Sequence, residues 1–191
     1  MKSVLDMWNY QEIIFRLRPR LVVEFGTFIG GSALFFATIL EQTHAAVAGG
    51  DGDDSAAFNA VNRGKRGIVV DLKTEQGVKV LRRLSKTADI LIENYRPGVM
   101  KRLGLDYETL RENNPGLIYA SISGYGQTGP SASRGGFDLV AQGVSGLMSV
   151  TGEPGRAPVK AGIPVTDLGA GLFAVCGILA ALQHRARTGE G

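Results

Sequence analysis

Three segments of the chain carry side chains that could do chemistry. In the first, ENYRPGVMKRLGLDYETL (93–110), a strand-like run ends in Glu93-Asn94-Tyr95 and opens onto a proline-started helix bearing Arg96, Lys101 and Arg102. An Asn amide can hydrogen-bond an adenine or a ribose, Tyr95 can stack on a ring, and Arg102 can pair with a phosphate. The same residues would also make an ordinary turn with a solvated basic face. In the second, SGYGQTGPSASRGGFDLVAQGVSG (123–146), glycines punctuate a loop that leads into a helix. Its backbone N–H groups could approach an anion closely, or the glycines could simply make turns. In the third, AGIPVTDLGAGLFAVCGILAAL (161–182), Asp167 stands alone before an almost wholly apolar helix. A carboxylate at a helix start accepts backbone N–H bonds and feels the positive end of the helix dipole, which favours its charged form. An ionised carboxylate can be a nucleophile, although most Asp residues at such positions only cap.

The elements that would position these segments follow from periodicity. Residues 5–17 have helical spacing, Pro19 ends it, and Leu21-Val22-Val23 is a short β-branched run that leads through a glycine turn into a second amphipathic helix ending near Gln42. Residues 1–42 thus read as a βα unit. Residues 43–54 read as a linker or junction within a small, glycine-rich and charged stretch that runs to about residue 66. Beyond it the sequence predicts strands at 67–72, 89–94 and 116–123. It predicts helices at 74–87, at 97–113 with a break at Gly104 and a fresh cap at Asp106, at 137–145 and at 168–187. Strands alternating with helices imply an α/β fold, a Rossmann-like parallel sheet with flanking helices, with ligands at the carboxyl ends of the strands. Those ends are Asn94 and Ser123.

Bulk properties exclude several classes. With 191 residues, 44% of them hydrophobic and 20% charged, the chain can bury a core, and no low-complexity tract argues for disorder. A net charge of +3 with dispersed Lys and Arg does not suggest nucleic acid. The one cysteine, Cys176, excludes an intramolecular disulfide and fits a reducing compartment. No uninterrupted apolar run reaches the roughly 18 residues of a membrane span, and the first residues do not form a signal peptide. The expectation is a cytoplasmic protein without membrane or nucleic-acid partners.

The three segments, in this order and spacing, resemble family III CoA-transferases, the family of formyl-CoA transferase, carnitine CoA-transferase and α-methylacyl-CoA racemase. The resemblance rests on NRGKRGIVVDLK (62–73), ADILIENYRPGVMKRLGL (88–105), SISGYGQTGP (121–130), GFDLVAQGVSGLM (136–148), the Asp167 segment and HRARTGEG (184–191). It implies that residues 55–191 are part of that family's large domain, that coenzyme A enters as an acyl-CoA substrate held by Asn94, Tyr95 and Arg102, and that Asp167 is the catalytic nucleophile. By the same resemblance the other partner is a carboxylic acid, no metal is needed, and a full-length chain would form a homodimer. The racemase branch uses a histidine in the segment matching Gly136–Asp138. Here that segment holds Phe137, which cannot take a proton, so transfer is expected over racemisation. His44, in the linker, and His184, near a helix C-terminus, are poor substitutes.

The two ends depart from the pattern. RPRLVVEFGTFIGGSALFFA (18–37) is similar to the first motif of S-adenosylmethionine-dependent methyltransferases of the cephalosporin-hydroxylase-like group, with Glu24, Gly26, Gly30 and Gly31 at the matching positions. An acidic partner for a ribose would then be sought at Asp51 or Asp53. At the other end the family's chain would continue past Gly191, so a truncated domain is expected. Acyl-CoA racemase, methyltransferase fragment and inactive fragment are the alternatives to CoA transfer.

Overall fold

The computed structural model describes residues 22–25 and 65–191. Within them, three short runs form one parallel sheet in the order β1-β2-β3. These are β1 (Val22–Phe25), β2 (Ile90–Glu93) and β3 (Ile118–Ser121). Register pairs Val23 with Leu91 and Leu91 with Tyr119, so that Glu93 lies beside Ser121 at the carboxyl ends.

Successive strand residues point to opposite faces, and here both faces are buried. Ile90, Ile92 and Ile118 meet Val175, Ile178, Leu179 and Leu182 of the long helix α5 (Val165–Thr188). Leu91 and Leu117 meet Leu81, Ala88, Met100, Leu105 and Leu110 on the other face. These come from or adjoin α1 (Glu75–Ser85), α2 (Val99–Leu103) and α3 (Tyr107–Arg111). Each fully buried aliphatic side chain contributes on the order of 1.5–3 kcal/mol.

Local chemistry sets the boundaries. Thr74 Oγ1 accepts the Gly77 N–H at 3.1 Å and starts α1, with Glu75 in the first turn and Arg82 and Arg83 in the last to complement the dipole. Gly104 ends α2 at φ 62°, a left-handed conformation that costs glycine nothing. Asp106 sits at the start of α3 as expected, but its carboxylate takes the Thr109 hydroxyl at 2.6 Å and not a backbone N–H.

Two expectations are corrected. Residues 67–72 form no strand: Val70 and Leu72 pack on the α1–α3 core while Ile68 and Val69 are both exposed, and no described strand pairs with the run. A strand needs a neighbour's N–H and C=O groups as well as a buried side. Secondly, α5 starts at Val165, about one turn earlier than expected, and by length and composition it is sufficient to cross a membrane. Gly171, Val175, Ile178, Leu179 and Leu182 are buried, the pattern of a helix packed on a sheet.

The direction of α5 fixes where its two ends lie. Arg185 donates to the Asp89 and Gly116 carbonyls, at 3.3 and 3.0 Å, and pairs with the Asp89 carboxylate at 3.1 Å. Both partners precede strands, so the C-terminal end of α5 lies at the amino ends of β2 and β3. From Arg185 back to Asp167 the helix is about 27 Å long, while a four-residue strand spans about 13 Å. Asp167 therefore lies past the carboxyl ends of the strands. Truncating Arg185→Ala removes that anchor and is expected to cost about 2–3 kcal/mol in urea denaturation. An unchanged midpoint would show that apolar packing alone orients α5.

Candidate active site

At the tip of β2, Asn94 Nδ2 donates to the Ile122 carbonyl at 2.9 Å, and the Ile122 N–H donates to the Glu93 carbonyl at 2.9 Å. The side chain of Asn94 thus extends the β2–β3 ladder by one step through its Nδ2. The Tyr95 ring is half-buried against the Leu91 core, and the exposed Arg102 guanidinium lies back over Gly98. No hydrogen bond or ion pair among the described residues links these three to Asp167. A cavity of about 310 Å³ opens on the α2–α3 side of the same strand ends, lined by Glu93, Arg96, Lys101, Tyr107, Ser121 and Gln127 among others. Asn94, Tyr95, Arg102 and Asp167 are not part of its wall.

The glycine loop follows β3. A Cβ built on Gly124 would lie 2.4 Å from the Gly136 Cα, and the reverse is equally true, so the two backbones touch where the loop opens and closes. Any larger residue at either position would push them apart. Inside the loop the Arg134 guanidinium lies 5.0 Å over the Tyr125 ring. Arg96 reaches the loop from the β2 turn and packs on Gly135. Gly136 then delivers Phe137, which is 70% exposed, and Asp138, the first residue of α4 (Asp138–Val144).

Asp138 is the residue that organises the start of α5. The residue before that helix is Pro164, whose side chain cannot cap it. Instead Asp138 Oδ1 accepts the Thr166 N–H at 2.9 Å, the Thr166 hydroxyl at 2.6 Å and the Asp167 N–H at 3.4 Å. Its Oδ2 accepts Gln142 Nε2 at 2.6 Å. Gln142 is fully buried, and its Oε1 accepts the Ala161 N–H at 2.8 Å, so one amide ties α4 to the segment that enters α5. Gly124, Asp138 and Gln142 together hold Asp167 in place.

The two carboxylates are perturbed in opposite directions. Desolvation works against the charge on Asp138, yet the bonds from the Thr166 side chain and backbone, Gln142 and the Asp167 N–H hold its carboxyl below the ordinary range. Asp167 is pushed up, first by desolvation and then by the negative charge of Asp138. This corrects the expectation that the helix start would favour the charged form of Asp167. The orphan N–H groups that would have done so are taken by Asp138. Asp167 remains exposed, in the first turn of the helix, with its carboxylate accessible to a reactant.

In the sequence Asp138, Gln142, Ser121 and Gln127 stand only inside longer motifs, with no signal that gives any of them a role of its own. Asp138 and Thr166 are too far apart in the chain for spacing to pair them. Glu24's side chain, Gly26, Gly30, Gly31, His44, Asp51 and Asp53 lie outside the described residues. His184 is exposed on the last turns of α5, far from Asp167. No group of three or more His, Cys, Asp or Glu suited to a metal ion occurs among the described residues.

Known proteins match this chain over most of its length. A family model described as CoA-transferase family III matches residues 41–191. The succinate–glutarate CoA-transferase of Agrobacterium fabrum is 52% identical over 144 residues, which is 75% of this chain and 36% of that protein. The acetyl-CoA:oxalate CoA-transferase of Acetobacter aceti is 49% identical over 141 residues, 73% of this chain and 36% of that protein. The crystal structure of a CAIB/BAIF family protein from Brucella suis superposes with a TM-score of 0.80 at 39% identity, covering 91% of this chain and 50% of that one. The chain thus spans about a third of the length of these curated relatives.

Replacing Asp138→Asn keeps an Oδ1 acceptor for Thr166 and removes the charge. The Asp167 carboxyl, followed by NMR titration, is expected to fall toward the ordinary carboxylate value. An unmoved titration would mean that Asp138 exerts no field on Asp167. The stability that Asp138 adds, its pKa being lowered by folding, is present above the unfolded carboxylate value and lost as pH falls through the folded one. The acid-unfolding transition should therefore lose part of its pH dependence in Asp138→Asn. A transition with unaltered pH dependence would contradict this.

Proposed function

The chain belongs to the CoA-transferase family III, and from that premise we propose that its Asp167 carboxylate moves CoA from an acyl-CoA thioester to a carboxylic acid. The observation that carries the reading is the setting of Asp167 itself. It is an exposed carboxylate beyond the carboxyl ends of a parallel sheet, on a helix start whose backbone donors are occupied by Asp138. A carboxylate whose pKa is raised is more basic, and hence more nucleophilic once ionised, than one held low by a cap.

The steps balance as two exchanges. An Asp167 oxygen attacks the thioester carbonyl, the carbon–sulfur bond breaks, and a mixed anhydride and CoA thiolate result. The thiolate attacks the Asp167 carbonyl of the anhydride, which releases the donor's acid and leaves an aspartyl-CoA thioester. The acceptor carboxylate attacks that thioester, again giving an anhydride and thiolate. The thiolate then attacks the acceptor's carbonyl, which frees Asp167 and forms the new acyl-CoA. Each step replaces one difficult exchange by an easier acyl transfer. Backbone N–H groups of the glycine loop are suited to stabilise the oxyanions.

In this reading Asn94, Tyr95 and Arg102 hold CoA, with Asn94 Oδ1 as acceptor, the exposed edge of Tyr95 as an apolar contact and Arg102 as the phosphate partner. The names of the relatives support short dicarboxylic acids as the acids exchanged, since succinate, glutarate and oxalate appear among them. Racemisation is disfavoured because Phe137 has no proton to give or take at a position beside Asp138.

In a chain extended to the length of the relatives, Asp167→Ala is expected to lower CoA transfer between two dicarboxylates by at least about 10³-fold. Because the ionised form reacts, the wild-type rate should fall as pH drops through the raised Asp167 value. Full activity of Asp167→Ala would remove this residue from the mechanism.

A further inference from the structure

Glu93 ends β2 and is only 3% exposed. Among the described residues no Lys or Arg forms an ion pair with it. Such a carboxylate is costly to bury unless donors satisfy both oxygens, and here two donors come from different segments. The Tyr95 N–H donates to Oε2 at 2.7 Å, and the Ser121 hydroxyl donates to Oε1. Ser121 Oγ in turn accepts Gln127 Nε2 at 2.6 Å. A serine has one proton, so accepting from Gln127 leaves that proton for Glu93. The chain of donors runs from Gln127 in the glycine loop through Ser121 at the end of β3 to Glu93, with Tyr95 converging from the β2 turn. Glu93, Ser121 and Gln127 all border the 310 Å³ cavity, so the tie stands at the wall of an open space and not in the packed core.

We propose that Glu93 is a positioning residue that locks the Asn94–Tyr95 turn and the glycine loop 124–136 into one unit. The turn would hold the ligand, and the loop delivers Asp138 and through it sets Asp167. The inference rests on the reading of Asn94 and Tyr95 as the CoA-holding turn. A carboxylate suits the task because it is acceptor-only at both oxygens. A glutamine of the same shape would accept from Tyr95 but turn an NH₂ toward a serine that needs an acceptor. The coupling therefore depends on polarity, and shape alone does not supply it.

Two measurements on the 191-residue chain separate the coupling from the ligand. In hydrogen exchange, Glu93→Gln is expected to speed exchange roughly tenfold both at Tyr95 and across 124–136, with the α5 core unchanged. Ser121→Ala, which cuts only the loop branch, should loosen 124–136 and leave Tyr95 as it was. Unchanged loop protection in both variants, or equal loosening of every segment, would overturn the coupling. In calorimetry with CoA, run well below the melting midpoint of both proteins, Glu93→Gln is expected to bind about tenfold more weakly than the unaltered chain. Equal affinity would overturn the positioning role. If the unaltered chain takes up no CoA, the reading of the turn fails, while the exchange result still decides the coupling.

Discussion

The α5 helix is tied at both ends by charged side chains, and the position of Asp167 depends on those ties. At the C-terminal end Arg185 grips Asp89 and Gly116 at the amino ends of the strands. At the N-terminal end Asp138 supplies the cap that Pro164 cannot. Between them Val175, Ile178, Leu179 and Leu182 seal one face of the sheet. Apolar burial provides most of the free energy but has no preferred direction along the helix axis, whereas hydrogen bonds at fixed points do. The contact of Gly124 with Gly136 sets where Asp138 begins, so a close backbone approach on one side of the site becomes a side-chain position on the other.

That arrangement places two carboxylates near each other at the start of one helix. Asp138 is stabilised in its charged form by four hydrogen-bond donors, and the cost falls on Asp167, whose charged form faces desolvation and a like charge. A design for stability alone would leave the second carboxylate out. Asp167 stands exposed on the first turn of α5, where the capping role is filled by Asp138. The same division recurs at the strand ends, where Glu93 is buried and fully satisfied while Asn94 stays exposed with one side-chain atom committed and one available.

Much of this fold is legible in the sequence because its signals are local. The Thr74 cap, the glycine break at 104 and the apolar runs of β2 and β3 each depend on residues within a few positions. The run at 67–72 has the composition of a strand, but composition does not supply a pairing neighbour, and Ile68 and Val69 stay exposed. The type of Asp167 and the helix it starts single it out in the sequence, but its electrostatics are the reverse of what a local cap implies, since the cap arrives from α4, a contact no local spacing reveals. Tyr95 is a residue that can stack on a ring by its type, and its side chain is in part packed on the core.

The proposed transfer passes through a covalent link between Asp167 and CoA. The direct measurement is to mix a full-length chain with succinyl-CoA, trap the thioester with borohydride, digest, and read the peptide spanning 161–182 by mass spectrometry. If Asp167 carries CoA, it is recovered reduced to the alcohol in that peptide, dependent on acyl-CoA. An unmodified Asp167 during active turnover, or trapping on another carboxylate such as Asp138, would contradict it.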